Sequence, residues 1–214
     1  APNTPTLTAQ TASNPFGTKI GSGFALANSG KVRNNNTMMY ATPAMNGFSA
    51  AVAYSNKTKV DVDASILTST ADVTDFGVNY ANGPVAAGFS VYKVAAIVGT
   101  ASKTDNNVYV TYDMGVAKLG AGYFTQKQQA TVDAKGYNVS AAIPMSAKLS
   151  LLVNFAKLDD TTVDNKDRQI AAVGVKYTLS NRTSVYARYV AEKNDNATTY
   201  KEQTTALVGM QHNF

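Results

Sequence analysis

Few residues in this chain could make or break a bond. His212 is the only histidine, and cysteine and tryptophan are both absent. Thiolate metal sites and disulfides are therefore impossible, and imidazole catalysis has almost no material to work with. What remains is charge. Fifteen Lys and four Arg stand against 14 acids, a formal net charge of +5. Five of these cations, Arg33, Lys118, Arg168, Lys176 and Arg188, fall on the same face of the alternating runs described below, together with Asp75, Asp113 and Glu192. Such a set attracts, repels and concentrates ions without bond chemistry. The cations are scattered along the chain rather than gathered into a stripe interleaved with aromatics, which argues against nucleic acid as a partner.

A charged face needs elements that hold alternate residues on one side. From Lys31 onward, run after run alternates with a period of two. Phe48, Ala50, Val52 and Tyr54 share one face, as do Val108, Val110 and Tyr112, then Leu149, Leu151, Val153 and Phe155. The last three runs carry Val173, Val175 and Tyr177; Val185, Ala187 and Tyr189; and Val208, Met210 and His212. The opposite face is small or polar, including Ser49, Asn79, Ser90, Thr111, Asn138 and Asn154. About eleven strands are predicted, each near the ~9–11 residues that cross a bilayer. No stretch approaches the ~20 apolar residues of a membrane helix. The slightly polar mean hydropathy suits a barrel in which only alternate residues meet lipid. Residues 1–30, rich in Thr, Ser, Gly, Ala and Asn, read as a long loop without acid. No signal peptide opens the chain, which reads as mature or trimmed.

The connections alternate too. Short turns are predicted at Pro43–Gly47, Asn82–Pro84, Met114–Gly115, Pro144–Ala147 and Ser180–Arg182. Longer polar loops are predicted at Asn56–Ala71, Ala96–Asp105, Lys127–Asp133, Asp159–Lys166 and Lys193–Lys201. Outer-membrane barrels do this because one rim faces the periplasm and the other the exterior. Tyr40, Tyr80, Tyr112 and Tyr177 each precede a short turn on the apolar face, as an aromatic girdle at headgroup level would require. Tyr54, Tyr123 and Tyr189 are candidates for a second girdle. The fold class is thus all-β: a transmembrane antiparallel up-and-down β-barrel, residues 31–214. His212 on its lipid face leaves no Ser/His/Asp set, so the protein reads as no enzyme. No cofactor or metal is implied; Asp159, Asp160, Asp164 and Asp167 read as a solvated loop.

The last nine residues, Ala206 to Phe214, resemble the terminal strand of Gram-negative porins. The segment Val32 to Pro43 with Asn46, Gly47 and Phe48 is similar to the strand–turn–strand after the constriction loop of trimeric general porins, most of all the anion-selective porins of betaproteobacteria. The resemblance implies sixteen strands, of which this chain would supply about eleven, the first five being missing, with residues 1–30 as the remainder of the pore-constriction loop. It implies an outer-membrane homotrimer and a role for Phe214 as signal to the barrel-assembly machinery. It implies that Arg33 lines the narrow zone. Arg188 is the second candidate; Lys176 and Lys118 lie nearer the periplasmic mouth, and Arg168 stands at the outer mouth as a collecting charge. Together these predict a water-filled channel for passive diffusion of small hydrophilic solutes, preferring anions. Outer-membrane lipid and lipopolysaccharide would be its surroundings. Two other functions compete: a channel for a dedicated substrate, which needs an aromatic track that the inward Tyr92, Tyr109, Phe124 and Tyr186 do not obviously make, and a surface adhesin acting through longer loops.

Overall fold

The computed structural model describes residues 5–16, 26, 36–56, 71–96, 101–129, 132–162, 167–195 and 201–213. Arg33 and Phe214 lie outside them. One helix, α1 (Pro5–Ala12), precedes eleven strands: β1 (Thr37–Ala41), β2 (Phe48–Ser55), β3 (Val73–Asn82), β4 (Val85–Val94), β5 (Lys103–Asp113), β6 (Lys118–Gln128), β7 (Val132–Pro144), β8 (Leu149–Asp160), β9 (Arg168–Thr178), β10 (Thr183–Asn194) and β11 (Glu202–His212). The strands form one sheet in sequence order, and every neighbouring pair is antiparallel. Each inner strand, β2 to β10, satisfies its backbone through its two neighbours, as a bilayer interior demands, while β1 and β11 have one neighbour each among the described residues.

The two faces differ as the alternation requires. On β5, Val108 and Val110 are 49% and 45% exposed, while Asn107 and Thr111 are 3% and 4% exposed. Large apolar residues therefore point away from the side that carries α1. A soluble monomer seldom exposes so continuous an apolar surface; lipid covers it at no cost.

The segment from Thr6 to Phe16 shows how strongly the sheet curls. Thr6 bonds to Asp75 on β3, and the ring of Phe16 stacks on Arg188 of β10. In a flat sheet, seven strand spacings would separate β3 from β10 by about 34 Å. Eleven residues, seven of them helical at ~1.5 Å each, span only about 25 Å. The sheet closes around the segment as an arc around its chord.

Four expectations need correction. Residues 1–30 are not all loop, since Pro5–Ala12 is helical; polar side chains, rather than an apolar stripe, hold this helix, so it lacks the usual periodic signal. The predicted long loop Lys127–Asp133 shrinks to residues 129–131, because β6 and β7 pair out to Gln128 and Val132. Asp105, expected in a loop, belongs to β5 and is buried on the inward face. The inward face is also not uniformly polar: Leu152, Ala156, Leu158, Ile170 and Val190 pack beneath Phe16 and Leu26.

At the predicted Pro43–Gly47 turn, Met45 bridges Phe48 and leaves a two-residue hairpin loop, Asn46–Gly47. Both residues have positive φ, 50° and 85°, which the tight turn of a right-twisted hairpin requires and Asn-Gly supplies best. Val108→Arg would place a cation on the lipid face near the middle of β5. It should lower folding stability by about 2–4 kcal/mol, read from urea unfolding in lipid vesicles.

Candidate functional site: the lined interior

α1 begins with Pro5, whose fixed φ and missing N–H suit a first helical position. The next amide finds its acceptor across space. Thr6 donates its N–H to both carboxylate oxygens of Asp75 at 3.1 Å, and its hydroxyl donates to Asp75 Oδ1 at 2.8 Å. A carboxylate at a helix N-terminus meets both the orphan amides and the positive end of the dipole. Asp75 is 1% exposed. It is an anchor and not a free wall charge.

The rest of the segment is fastened strand by strand. Gln10 Nε2 donates to Asn107 Oδ1 at 3.3 Å, and Asn107 Nδ2 to Ser90 Oγ at 3.3 Å. The carbonyl of Ser13 accepts from Ser140 Oγ at 2.5 Å and from Asn138 Nδ2 at 3.3 Å. Asn14 Nδ2 donates to Asn154 Oδ1 at 2.8 Å, while its own Oδ1 accepts the Phe16 N–H at 2.9 Å. Glycines clear the path: a β-carbon at Gly77 would stand 2.7 Å from that of Pro5, and one at Gly120 would strike the Ser13 carbonyl. The sequence reading missed Thr6, Gln10, Ser13, Asn14 and Phe16. Their signal was available in part as unexplained Asn and Ser on otherwise apolar-periodic strands.

The predicted cations fall into three settings. Arg188 lies between two rings, its guanidinium carbon 5.0 Å from the Phe16 centroid and 4.5 Å from that of Tyr186. Stacking on aromatic faces fixes the plane of the guanidinium. Arg168, read from the sequence as a collecting charge, is ion-paired to Glu192, Nη2 to Oε1 at 2.5 Å. Lys118 and Lys176 are exposed on the inward wall, and both line a recess of about 480 Å³ beneath Ala12–Pro15 on the short-turn side. Arg188 pairs with Gly174, and Lys176 stands two residues nearer the short turn. The inward aromatics lie against the wall: Tyr109, Phe124 and Tyr186 each pack on a cross-strand glycine, Gly88, Gly136 and Gly209.

On the outward face stand Tyr40 (β1), Tyr80 (β3), Tyr112 (β5) and Tyr177 (β9), each near a short turn. Phe48 joins them, its ring 4.6 Å from that of Tyr80. Tyr54, Tyr123 and Tyr189 face outward as well.

A family model for the Gram-negative porin matches residues 2–197. The chain belongs to that family. Its place is the bacterial outer membrane, and family and fold alike are those of channels rather than enzymes. This porin is 26% identical over 204 residues to outer membrane porin protein 32 of Delftia acidovorans, covering 86% of this chain and 57% of the relative. It is 26% identical over 245 residues to an outer membrane porin protein of Bordetella pertussis, covering 94% and 63%. It thus spans less than two thirds of either relative. The fold matches the anion-selective porin from Comamonas acidovorans at a TM-score of 0.80, with 23% identity over 99% of this chain and 72% of that one. It also matches in-vitro folded OmpT of Vibrio cholerae at 0.74, with 14% identity over 99% and 74%.

Asp75→Ala leaves the first turn of α1 without its acceptor, a loss of about 1–3 kcal/mol. Amide exchange over residues 5–16, read by mass spectrometry, should quicken about tenfold or more, with the central strands unchanged. Exchange identical to the parent protein would remove Asp75 as the anchor.

Proposed function

We propose that this porin forms a water-filled channel through which small hydrophilic solutes diffuse passively, with a preference for anions. The observation that carries the reading is the sorting of charge on the inward face. Two of its acids are held, Asp75 by Thr6 and Glu192 by Arg168, while Asp113 stays exposed at the short-turn end, opposite Lys118 in the strand register and bonded by the Gly115 N–H at 2.8 Å. Asp105 is buried, 3.9 Å from the Lys103 ammonium. Lys118 and Lys176 remain open to the lumen, and Arg188 stands half-buried in the wall where the segment ends. Fixed positive charge around a narrow water-filled lumen with low-dielectric walls raises the local anion concentration. The likeness to a porin named anion-selective supports the same reading.

In this reading residues 1–30 belong to the constriction loop and α1 narrows the lumen, with Arg33 and Arg188 at the narrow zone. Arg168 serves to neutralise Glu192 near the outer mouth. The tyrosines Tyr40, Tyr80, Tyr112 and Tyr177 form the periplasmic-side girdle, and Phe214 serves the barrel-assembly machinery. The protein works as a homotrimer, as the structural neighbour OmpT does in its trimer form, among outer-membrane lipid and lipopolysaccharide.

The reversal potential of the intact protein across a KCl gradient tests this. Chloride should permeate in excess of potassium. Arg188→Ala and Arg33→Ala should each reduce the permeability ratio severalfold, and a cation-selective potential would end the proposal. Raising the salt from 0.1 to 1 M shortens the screening length from about 10 to 3 Å. Selectivity should fall accordingly.

A further inference from the structure

Below the anchored segment, on the short-turn side, the wall forms a recess of about 480 Å³. That size lies within the range of small-molecule sites. Ala12 to Pro15 roof it, and residues of β5–β9 and their short turns make the rest. Two cations flank it on the same curved wall, Lys118 on β6 and Lys176 on β9, three strands apart. Among the described residues neither makes an ion pair or hydrogen bond. Thr111, Ser140 and Ser150 add hydroxyls to the lining. Ser140 already donates to the Ser13 carbonyl, so its oxygen is left to accept. The one acid, Asp113, is the cross-strand partner of Lys118; it accepts from the Gly115 N–H in the turn and makes no ion pair with Lys118.

We propose that this recess is a binding site for a compact dianion, held between the ammonium groups of Lys118 and Lys176. The inference deepens the anion-channel reading, on which it rests, by naming a place where a solute pauses and a charge class that pauses longest. Three strand spacings separate β6 from β9, about 14 Å along the sheet; the curl of the wall and two four-carbon stems shorten that gap. A monovalent anion neutralises one ammonium and leaves the other exposed. A dianion engages both, and the hydroxyls of Thr111 and Ser150 can donate to its oxygens, whereas Ser140 keeps its proton on Ser13. Arg188 plays a different part: its guanidinium is held against two rings one step farther up the wall, so it meets solutes in passage instead of enclosing them. The opening toward the short turns and the flexible stems keep binding weak enough for release, as conduction requires.

The test uses the intact protein in planar bilayers with chloride as the current carrier. Inorganic phosphate, buffered to be mainly dianionic, is added to one side at a time at constant ionic strength; succinate and acetate are run in parallel. Phosphate on the short-turn side should reduce the chloride current at millimolar concentration, and acetate should have little effect. A comparable effect of succinate would assign the site to dianions in general, and its absence would confine the site to tetrahedral oxyanions. In Lys118→Gln/Lys176→Gln the phosphate concentration for half-block should rise about tenfold, while Lys148→Gln, in the short β7–β8 turn and outside the recess lining, should keep the block. Broadening of the phosphate ³¹P resonance by the unaltered protein in detergent, relieved by excess sulfate, gives a second reading free of any variant. Equal block from both sides, or an unchanged block in the double variant, overturns the site. A cation-selective reversal potential with the lysine-dependent block intact would overturn the channel reading and leave the site standing.

Discussion

A peptide group facing hydrocarbon has no water to bond with, and that constraint shapes this molecule. Every strand must hand its N–H and C=O groups to a neighbour, so the chain runs back and forth in sequence order, β1 to β11, with each pair in antiparallel register. Once the backbone is fixed in this way, side chains have two directions only. Val108 and Val110 go to lipid, Asn107 and Thr111 to the interior. The interior thereby receives every polar residue the strands can carry, and with it the means to hold a crossing segment and to present charge.

Two demands on the inward face are met by different residues. Anchoring falls to neutral amides and hydroxyls and to one buried carboxylate, Asp75; the open charge is left to Lys118 and Lys176 against a single exposed acid, Asp113, with Arg188 at the junction. That division has an energetic logic. A carboxylate exposed to the lumen would offset a neighbouring cation, whereas one capped by Thr6 spends its field on α1. The same sorting appears in Glu192, bound to Arg168, and makes the exposed balance more positive than a count of inward acids and bases suggests.

Much of this could be read from the sequence, and unevenly so. The strands were legible because Val, Tyr and Leu recur at alternate positions with Asn-Gly and Asn-Gly-Pro punctuation between them, a local signal strengthened by each repetition. The faces of Lys118, Arg168, Lys176 and Arg188 followed from parity alone. What sequence could not carry was partnership across space. Thr6 and Asp75 are 69 residues apart and Ser13 and Asn138 are 125 apart, so no window contains both. α1 escaped notice because its Thr, Ala and Gln residues present no apolar stripe, and the Arg168–Glu192 pair because two inward charges on adjacent strands do not announce their register. The β6–β7 connection was overestimated because Lys127, Gln128 and Asp133, polar enough for a loop, pair at the ends of strands.

The crossing of residues 6–16 from β3 to β10 has a mechanical side. A curled sheet alone is a spring whose radius is set by twist and pairing, both compliant. A taut segment fixed at Asp75, Asn107, Asn138, Asn154 and Arg188 is a tie-rod across that spring. Pressure that widens the wall must stretch the rod, and slack in the rod lets the wall relax outward. Stiffness of this wall is therefore inherited in part from eleven residues that never join the sheet.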